Sequence, residues 1–214
     1  MVTGYVCPEL GQILFDRGSN CVCELGVCKK KGHKLCSPGR CNKKKAVLWE
    51  DIDKVYVSAT KTYVYFVPAN ESIELNLVST DGNKLSLGIT SAFRISKEQK
   101  QRIWDVYGYI VSRVFDRQWK KLISDLEQGY TVSFNSFDIT FESLRKSKMF
   151  GQEIIELSNI VDWQLYNAQL QIRFRDKKNH LKWKTLGGVG YIPNIHLVEA
   201  FLKYVISDNQ RVSQ

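Results

Sequence analysis

The sequence contains little proline, few histidines and no long apolar run. Only four of its 214 residues are proline, and with 14 glycines this composition excludes collagen-like and linker chains. No apolar stretch approaches the roughly 20 residues of a membrane-spanning helix. The first residues lack the basic start and apolar stretch of a signal peptide. We therefore expect a cytoplasmic protein, with a peripheral position at the inner face of the membrane as a further expectation.

Residues suited to catalysis are also scarce. The three histidines, His33, His180 and His196, have no Cys, Asp or Ser partner at a spacing that indicates a catalytic triad. The Gly-Gly-Val-Gly segment 187–190 resembles a phosphate-binding loop only superficially, because such a loop follows a parallel strand in a βαβ unit. We interpret it as a flexible lead into the last helix. The sequence thus predicts a protein that is not an enzyme.

The composition is that of a globular chain. Hydrophobic residues make up 43% and charged residues 25%, which is too apolar for a disordered protein. A chain of this length can bury a sizeable core without disulfide or metal support.

Apolar alternation between Trp49 and Ile89 predicts an antiparallel meander with one buried face. Turn residues separate its strands at 68–70 (Pro-Ala-Asn) and at 81–83 (Asp-Gly-Asn). After Ser96 the period becomes helical, and Ser96 with Gln99 forms a capping-box pattern. The pattern continues to Gly129, which leaves open one long helix or two helices joined at 116–117.

Strands are predicted again after Gly129. Alternation changes phase at 135–136, which indicates a tight turn, and further strands are expected at 153–157, 160–165, 170–174 and 181–185. A last helix is predicted from an apolar stripe. The residues of the stripe are Val198, Phe201, Leu202 and Val205.

The two halves repeat the same order of elements. Segment 49–55 corresponds to segment 157–163 at an offset of 108 residues, and each is followed by strands and a terminal helix. A pattern of the type F-x-x-G followed by W-x-x-I-x-x-V is similar to a pattern of bacterial PH-like domains. Its residues here are Phe15, Gly18, Trp49, Ile52 and Val55.

In the second half, segments 132–139, 155–163 and 192–194 carry the same resemblance, so that the whole chain resembles a tandem PH-like protein. This resemblance implies an α+β fold of two PH-like repeats, each an antiparallel meander or partial barrel capped by a C-terminal helix. It places the repeats at 1–116 and 117–214. The family implies a binding module, although the fold alone does not define a ligand. A Cys- and Lys-rich insertion at about 24–45 departs from the family pattern.

All six cysteines lie in the first 41 residues, and four of them form two pairs with the spacing C-x4-C-x7-C-x4-C. Four thiolates at such spacing can bind structural zinc in a closed tetrahedral site. The predicted ligands are Cys23, Cys28, Cys36 and Cys41, with Cys21 and His33 as alternates. Inert buried thiols, disulfides and a reversible redox switch remain alternatives.

Positive charge is concentrated in the same segment. The chain has a net charge of +9, of which residues 1–45 contribute +6 from nine basic and three acidic residues. Such a field favours an anionic partner. The predicted anion-binding residues are Lys29, Lys30, Lys31, Lys34, Arg40, Lys43, Lys44 and Lys45.

These features predict a non-catalytic binding protein that contacts an acidic membrane surface or an acidic protein through the basic segment. Nucleic-acid binding through a zinc knuckle is the alternative. A cysteine-dependent enzyme with Cys28 as nucleophile ranks last. Tyr63 and Tyr65 beside Lys61 suit base stacking, but we expect them to pack. The same is expected of four tryptophans: Trp104, Trp119, Trp163 and Trp183.

Overall fold

The computed structural model describes residues 6–7, 12–14, 20–23, 26–29, 46–65, 67–92, 94–148 and 151–212. The fold is α+β, as the sequence predicts. The first strands are β1 (Val6–Cys7), β2 (Gln12–Leu14), β3 (Asn20–Cys23), β4 (Gly26–Lys29), β5 (Ala46–Leu48), β6 (Ile52–Val64), β7 (Val67–Ser79) and β8 (Lys84–Ser91). Helix α1 (Lys97–Glu127) follows.

The remaining strands are β9 (Val132–Ser133), β10 (Asp138–Ile139), β11 (Ser143–Lys148), β12 (Gly151–Glu156), β13 (Ile160–Tyr166), β14 (Gln169–Arg175) and β15 (Leu181–Gly188), and the last helix is α2 (Ile195–Val212). Within the described residues the strands form four sheets, with the orders β1-β2-β3-β4-β5, β6-β7-β8, β12-β11-β10-β9 and β13-β14-β15. Each register that is defined is antiparallel. None of these sheets closes into a barrel in the described part of the chain.

The chain divides into two compact units. The first contains Thr60–Val114 with the described residues up to Val55, and the second contains Tyr56–Ala59 and Phe115–Gln214. The division within the helical segment falls between Val114 and Phe115.

The core of the first unit comes from alternating residues of its meander. Leu75 lies opposite Leu87 and Leu77 opposite Leu85, and all four side chains are buried. Alternation places these side chains on one face of the sheet, where they are removed from water. The predicted turn at 81–83 is confirmed, with Gly82 at φ +82°. A left-handed φ is a conformation that glycine adopts without steric penalty.

The predicted turn at 68–70 is wrong, because β7 already begins at Val67. The pairing of β7 with β8 begins only at Glu71, opposite Ser91. Pro68 therefore lies in a stretch of β7 that precedes this pairing. Proline lacks an N–H donor but is tolerated near the start of a strand, where Pro68 is the second residue of β7.

Helix α1 is one continuous helix of 31 residues, which decides between the two alternatives left by the sequence. The capping box is confirmed: Gln99 N–H donates to Ser96 Oγ at 3.2 Å, and Ser96 N–H donates to Gln99 Oε1 at 3.1 Å. At the other end, Gly129 has φ +82°, and Tyr130 N–H donates to Asp125 O. This pattern is a Schellman motif, which ends the helix where the sequence predicts.

The second unit contains two sheets and α2. The predicted turn at 135–136 is confirmed, with Asn135 at φ +61°, and the stripe of α2 is buried as expected. The glycines before α2 have a packing role instead of the flexible one we expected. A Cβ built on Gly187 would lie 2.6 Å from Ser136 Oγ, so that a larger residue forces the neighbouring chain to move.

The order of elements repeats along the chain. Trp49–Asp51 and Leu157–Asn159 are both 3-10 helices, and each precedes three sequential strands and a long helix. The offset of 108 residues found in the sequence therefore aligns elements of the same type. The repeat is visible as element order within the described residues.

Candidate functional site

Three of the cysteines lie on the described hairpin formed by β3 and β4. In its register, Cys21 is the partner of Cys28, and Cys23 is the partner of Gly26. Directly opposed residues of an antiparallel pair have Cα atoms about 4.5 to 5.5 Å apart. Cys36, Cys41 and His33 lie outside the described residues. The structure therefore brings the backbones of Cys21 and Cys28 together and does not describe the rest of the predicted ligand set.

The basic segment, which we define as residues 29–45, starts on the same hairpin. Lys29 is the last residue of β4, and β5 begins at Ala46 as the neighbouring antiparallel strand, with Cys28 opposite Ala46. The residues at both ends of segment 30–45 are thus attached to adjacent strands. The other predicted anion-binding residues lie outside the described part of the chain: Lys30, Lys31, Lys34, Arg40, Lys43, Lys44 and Lys45.

The end of the β6–β7 hairpin exposes aromatic side chains. We call residues 60–65 and 67–70 the hairpin arm. Tyr63 is 55% exposed and Tyr65 is 91% exposed. The Lys61 ammonium lies 5.2 Å from the centroid of the Tyr63 ring, within the range of a cation–π contact. The arm therefore presents a cation and two phenol rings to solvent.

This exposure overturns the prediction that these aromatic residues pack. Trp104 and Trp183 are also about half exposed, and Trp119 and Trp163 are only partly buried. Alternation and apolar character indicate which face of a strand a residue occupies, but burial needs a second layer over that face. Such a layer is a property of the tertiary structure and has no local sequence signal.

A charged cluster in the second unit was not predicted. Lys184 Nζ lies 2.5 Å from Glu153 Oε2, and Lys146 Nζ donates to the backbone oxygen of Thr185 at 2.5 Å. Burial and the nearby Lys184 charge lower the pKa of Lys146, while Glu153 opposes this effect. Lys146 and Glu153 are partners in the β11–β12 register, and Lys184 lies on β15.

Both ammonium groups of this cluster already have acceptors within the protein. The contacts connect the β11–β12 pair to β15, which is the role of a structural polar network. Only the register of strands far apart in the sequence brings the three residues together, so no local pattern could have revealed them.

Among the described residues, no group of three or more His, Cys, Asp or Glu residues is placed to hold a metal ion. No helix in the described ranges is long and apolar enough to cross a membrane. No known family model and no curated protein matches this chain.

Proposed function

We propose that this chain is a non-catalytic binding protein of two PH-like repeats, and that its basic, cysteine-rich segment binds an acidic membrane surface. The repeated order of a 3-10 helix, three strands and a long helix supports the two-repeat architecture. PH-like scaffolds present loops from a rigid sheet, so the binding residues are expected outside the regular elements.

The observation that carries this proposal is the concentration of charge. Residues 29–45 contain eight basic residues and no acidic residue. Because Lys29 and Ala46 lie at the ends of adjacent strands, the basic segment is attached to the sheet at both ends. Each Lys or Arg near an anionic bilayer contributes on the order of 1 kcal/mol, and salt screens this contribution. The expected binding is reversible and sensitive to salt.

Structural zinc is part of the proposal. The ligands would be Cys23, Cys28, Cys36 and Cys41, and the register that pairs Cys21 with Cys28 makes Cys21 an equally suitable donor. Bound zinc would hold the basic segment in one conformation. The surrounding lysines would favour the thiolate forms that the metal requires.

Co-sedimentation with vesicles tests this function. We expect the protein to sediment with vesicles containing phosphatidylserine, to stay in solution with pure phosphatidylcholine, and to be released by salt. The variant Lys29→Glu/Lys30→Glu/Lys31→Glu is expected to lose binding. Equal sedimentation with both lipids would reject the membrane proposal. An acidic protein would then replace the acidic membrane as the proposed partner.

A matched variant controls for net charge. Lys120→Glu/Lys177→Glu/Lys178→Glu makes the same change in net charge at three exposed residues outside the basic segment. It is expected to bind vesicles nearly as well as the native protein, because these lysines are not part of the proposed binding segment. If both variants lose binding equally, overall charge is responsible and the basic segment is not the site.

Nucleic-acid binding is the second candidate, and the exposure of Lys61 and Tyr63 favours it, since exposed aromatic rings beside a cation can stack on bases. Filter binding with a single-stranded oligonucleotide distinguishes it. This candidate predicts affinity that falls steeply with salt concentration. The absence of binding even at low salt would eliminate it.

A further inference from the structure

We propose that the tip of the hairpin arm enters the headgroup region of a lipid bilayer, with Tyr63 and Tyr65 in the interface and Lys61 at anionic headgroups. This inference rests on the proposed membrane function and adds a second, apolar contact to the electrostatic one. It assigns a binding role to a described part of the chain that lies outside the basic segment.

Exposure is the first argument. Every residue from Ala59 to Tyr63 is exposed, and so is Tyr65. Since successive residues of a strand occupy opposite faces, the β6 side of the arm is open to solvent on both faces. A two-stranded ribbon of this kind gains little stability from burial. Large apolar side chains at such a position indicate an interaction surface.

The backbone at Tyr65 is the second argument. Tyr65 has φ +48°, in the left-handed region, at the connection between β6 and β7. Asn and Gly adopt this conformation with less strain than an aromatic residue, and they dominate short hairpin turns. Folding alone would therefore favour another residue here. Residues held in such strained backbone conformations are concentrated at functional sites.

The chemistry of the arm is the third argument, and it favours a bilayer over a nucleic acid. Between Lys61 and Glu71 the sequence Thr-Tyr-Val-Tyr-Phe-Val-Pro-Ala-Asn contains no charge. A strand-binding groove for nucleic acid needs cations along the backbone path, whereas an interfacial anchor needs aromatic residues beside a few cations. Tyrosine suits the interface because its ring is apolar and its hydroxyl is polar. A lysine can bury its aliphatic stem and keep its ammonium at the headgroups.

The test compares Tyr63→Thr/Tyr65→Asn with the native protein in vesicle co-sedimentation. Threonine retains β propensity at position 63, and asparagine accepts the left-handed φ at position 65, so that the fold and the turn are preserved. Circular dichroism and thermal unfolding verify this. The control is Tyr130→Asn, which removes a tyrosine that is 60% exposed and lies outside the hairpin arm in the sequence.

We expect the double variant to bind phosphatidylserine vesicles about tenfold more weakly than the native protein, because the contact areas of two aromatic rings are lost. Its dependence on salt should be unchanged, and Tyr130→Asn should bind like the native protein. Loss of binding with the double variant but not with Lys29→Glu/Lys30→Glu/Lys31→Glu would support the arm and reject the basic segment.

Unchanged vesicle binding by the double variant, while the lysine variant loses binding, would overturn the role of the arm and leave the proposed function intact. If the native protein does not bind acidic vesicles, both proposals are rejected. If the double variant loses affinity for a single-stranded oligonucleotide and keeps its affinity for vesicles, the arm is a base-stacking surface and the inference is also overturned.

Discussion

His196 is buried on α2 and forms a hydrogen bond with the side chain of Gln118. Its Nε2 lies 3.0 Å from Gln118 Oε1, and since an amide oxygen only accepts, the imidazole N–H donates. The Phe115 ring also lies against it, with ring centroids 6.2 Å apart. Burial lowers the pKa of His196 to about 4, because the charged form would lose its hydration. His196 is therefore neutral in the folded protein near pH 7.

This lowered pKa predicts a specific loss of stability in acid. Unfolded histidine has a pKa near 6.5, so that below this value the unfolded state binds a proton that the folded state does not. The free energy of unfolding should fall as the pH decreases from about 6.5 to about 4, by on the order of 3 kcal/mol in total. Denaturant unfolding across this range measures the slope.

A variant without the titrating group separates this effect from other residues. His196→Phe should show a flatter dependence of unfolding free energy on pH between these limits than the native protein. Asp176 changes the pH dependence of stability only at lower pH than His196 does, because hydrogen bonds from Lys182 and from backbone N–H groups lower the pKa of its carboxyl to about 2. Identical slopes for the native protein and His196→Phe would refute the assignment.

At the scale of elements, α1 has a defined signal at each end. Ser96 and Gln99 cap its first turn, and the Glu71 carboxylate receives the Ile95 N–H at 2.7 Å and the Lys100 ammonium at 2.6 Å. These contacts attach the start of the helix to β7 within the first unit. The partners lower the pKa of Glu71, with the hydrogen bond from Lys100 as the largest cause.

We expect Ser96→Ala to destabilise the protein by about 1 kcal/mol, because the Gln99 N–H loses its capping acceptor. Ser112→Ala is the control, since Ser112 is an exposed residue within the same helix. It should be neutral or slightly stabilising, because alanine has the higher helix propensity. Equal effects of the two substitutions on chemical unfolding would show that the cap contributes nothing.

Most elements could be predicted from local patterns, and the exceptions have physical causes. Alternation predicted the strands of both meanders. The Asp-Gly-Asn turn at 81–83 correctly marked the start of β8, and the capping box at Ser96 correctly marked the start of α1. Strand β11 was not predicted, because its sequence Ser-Leu-Arg-Lys-Ser-Lys shows one apolar residue and no alternation. It is a strand because β10 and β12 provide hydrogen-bond partners on both sides.

At the scale of the molecule, positive charge and thiols are concentrated in the N-terminal segment. The proposed zinc site in this segment can be tested directly by measuring bound metal and protected thiols. We expect about one zinc ion per chain by elemental analysis, with four of the six thiols protected under native conditions. Cys36→Ser should lose the metal, whereas Cys7→Ser should keep it. Six reactive thiols and no metal would reduce the segment to a basic loop without a metal site.

Local sequence patterns predicted a strand meander followed by a helix in each half and showed the uneven distribution of charge, because periodicity and turn chemistry depend on neighbouring residues. Strand β11 and the continuity of α1 were decided by the structure. The exposure of Tyr63 and Tyr65, the burial of His196 and the cluster of Lys146, Glu153 and Lys184 were decided by the tertiary structure. Each depends on which segments come to lie over one another. Burial and pairing over long sequence distances arise from packing, which no short stretch of residues encodes.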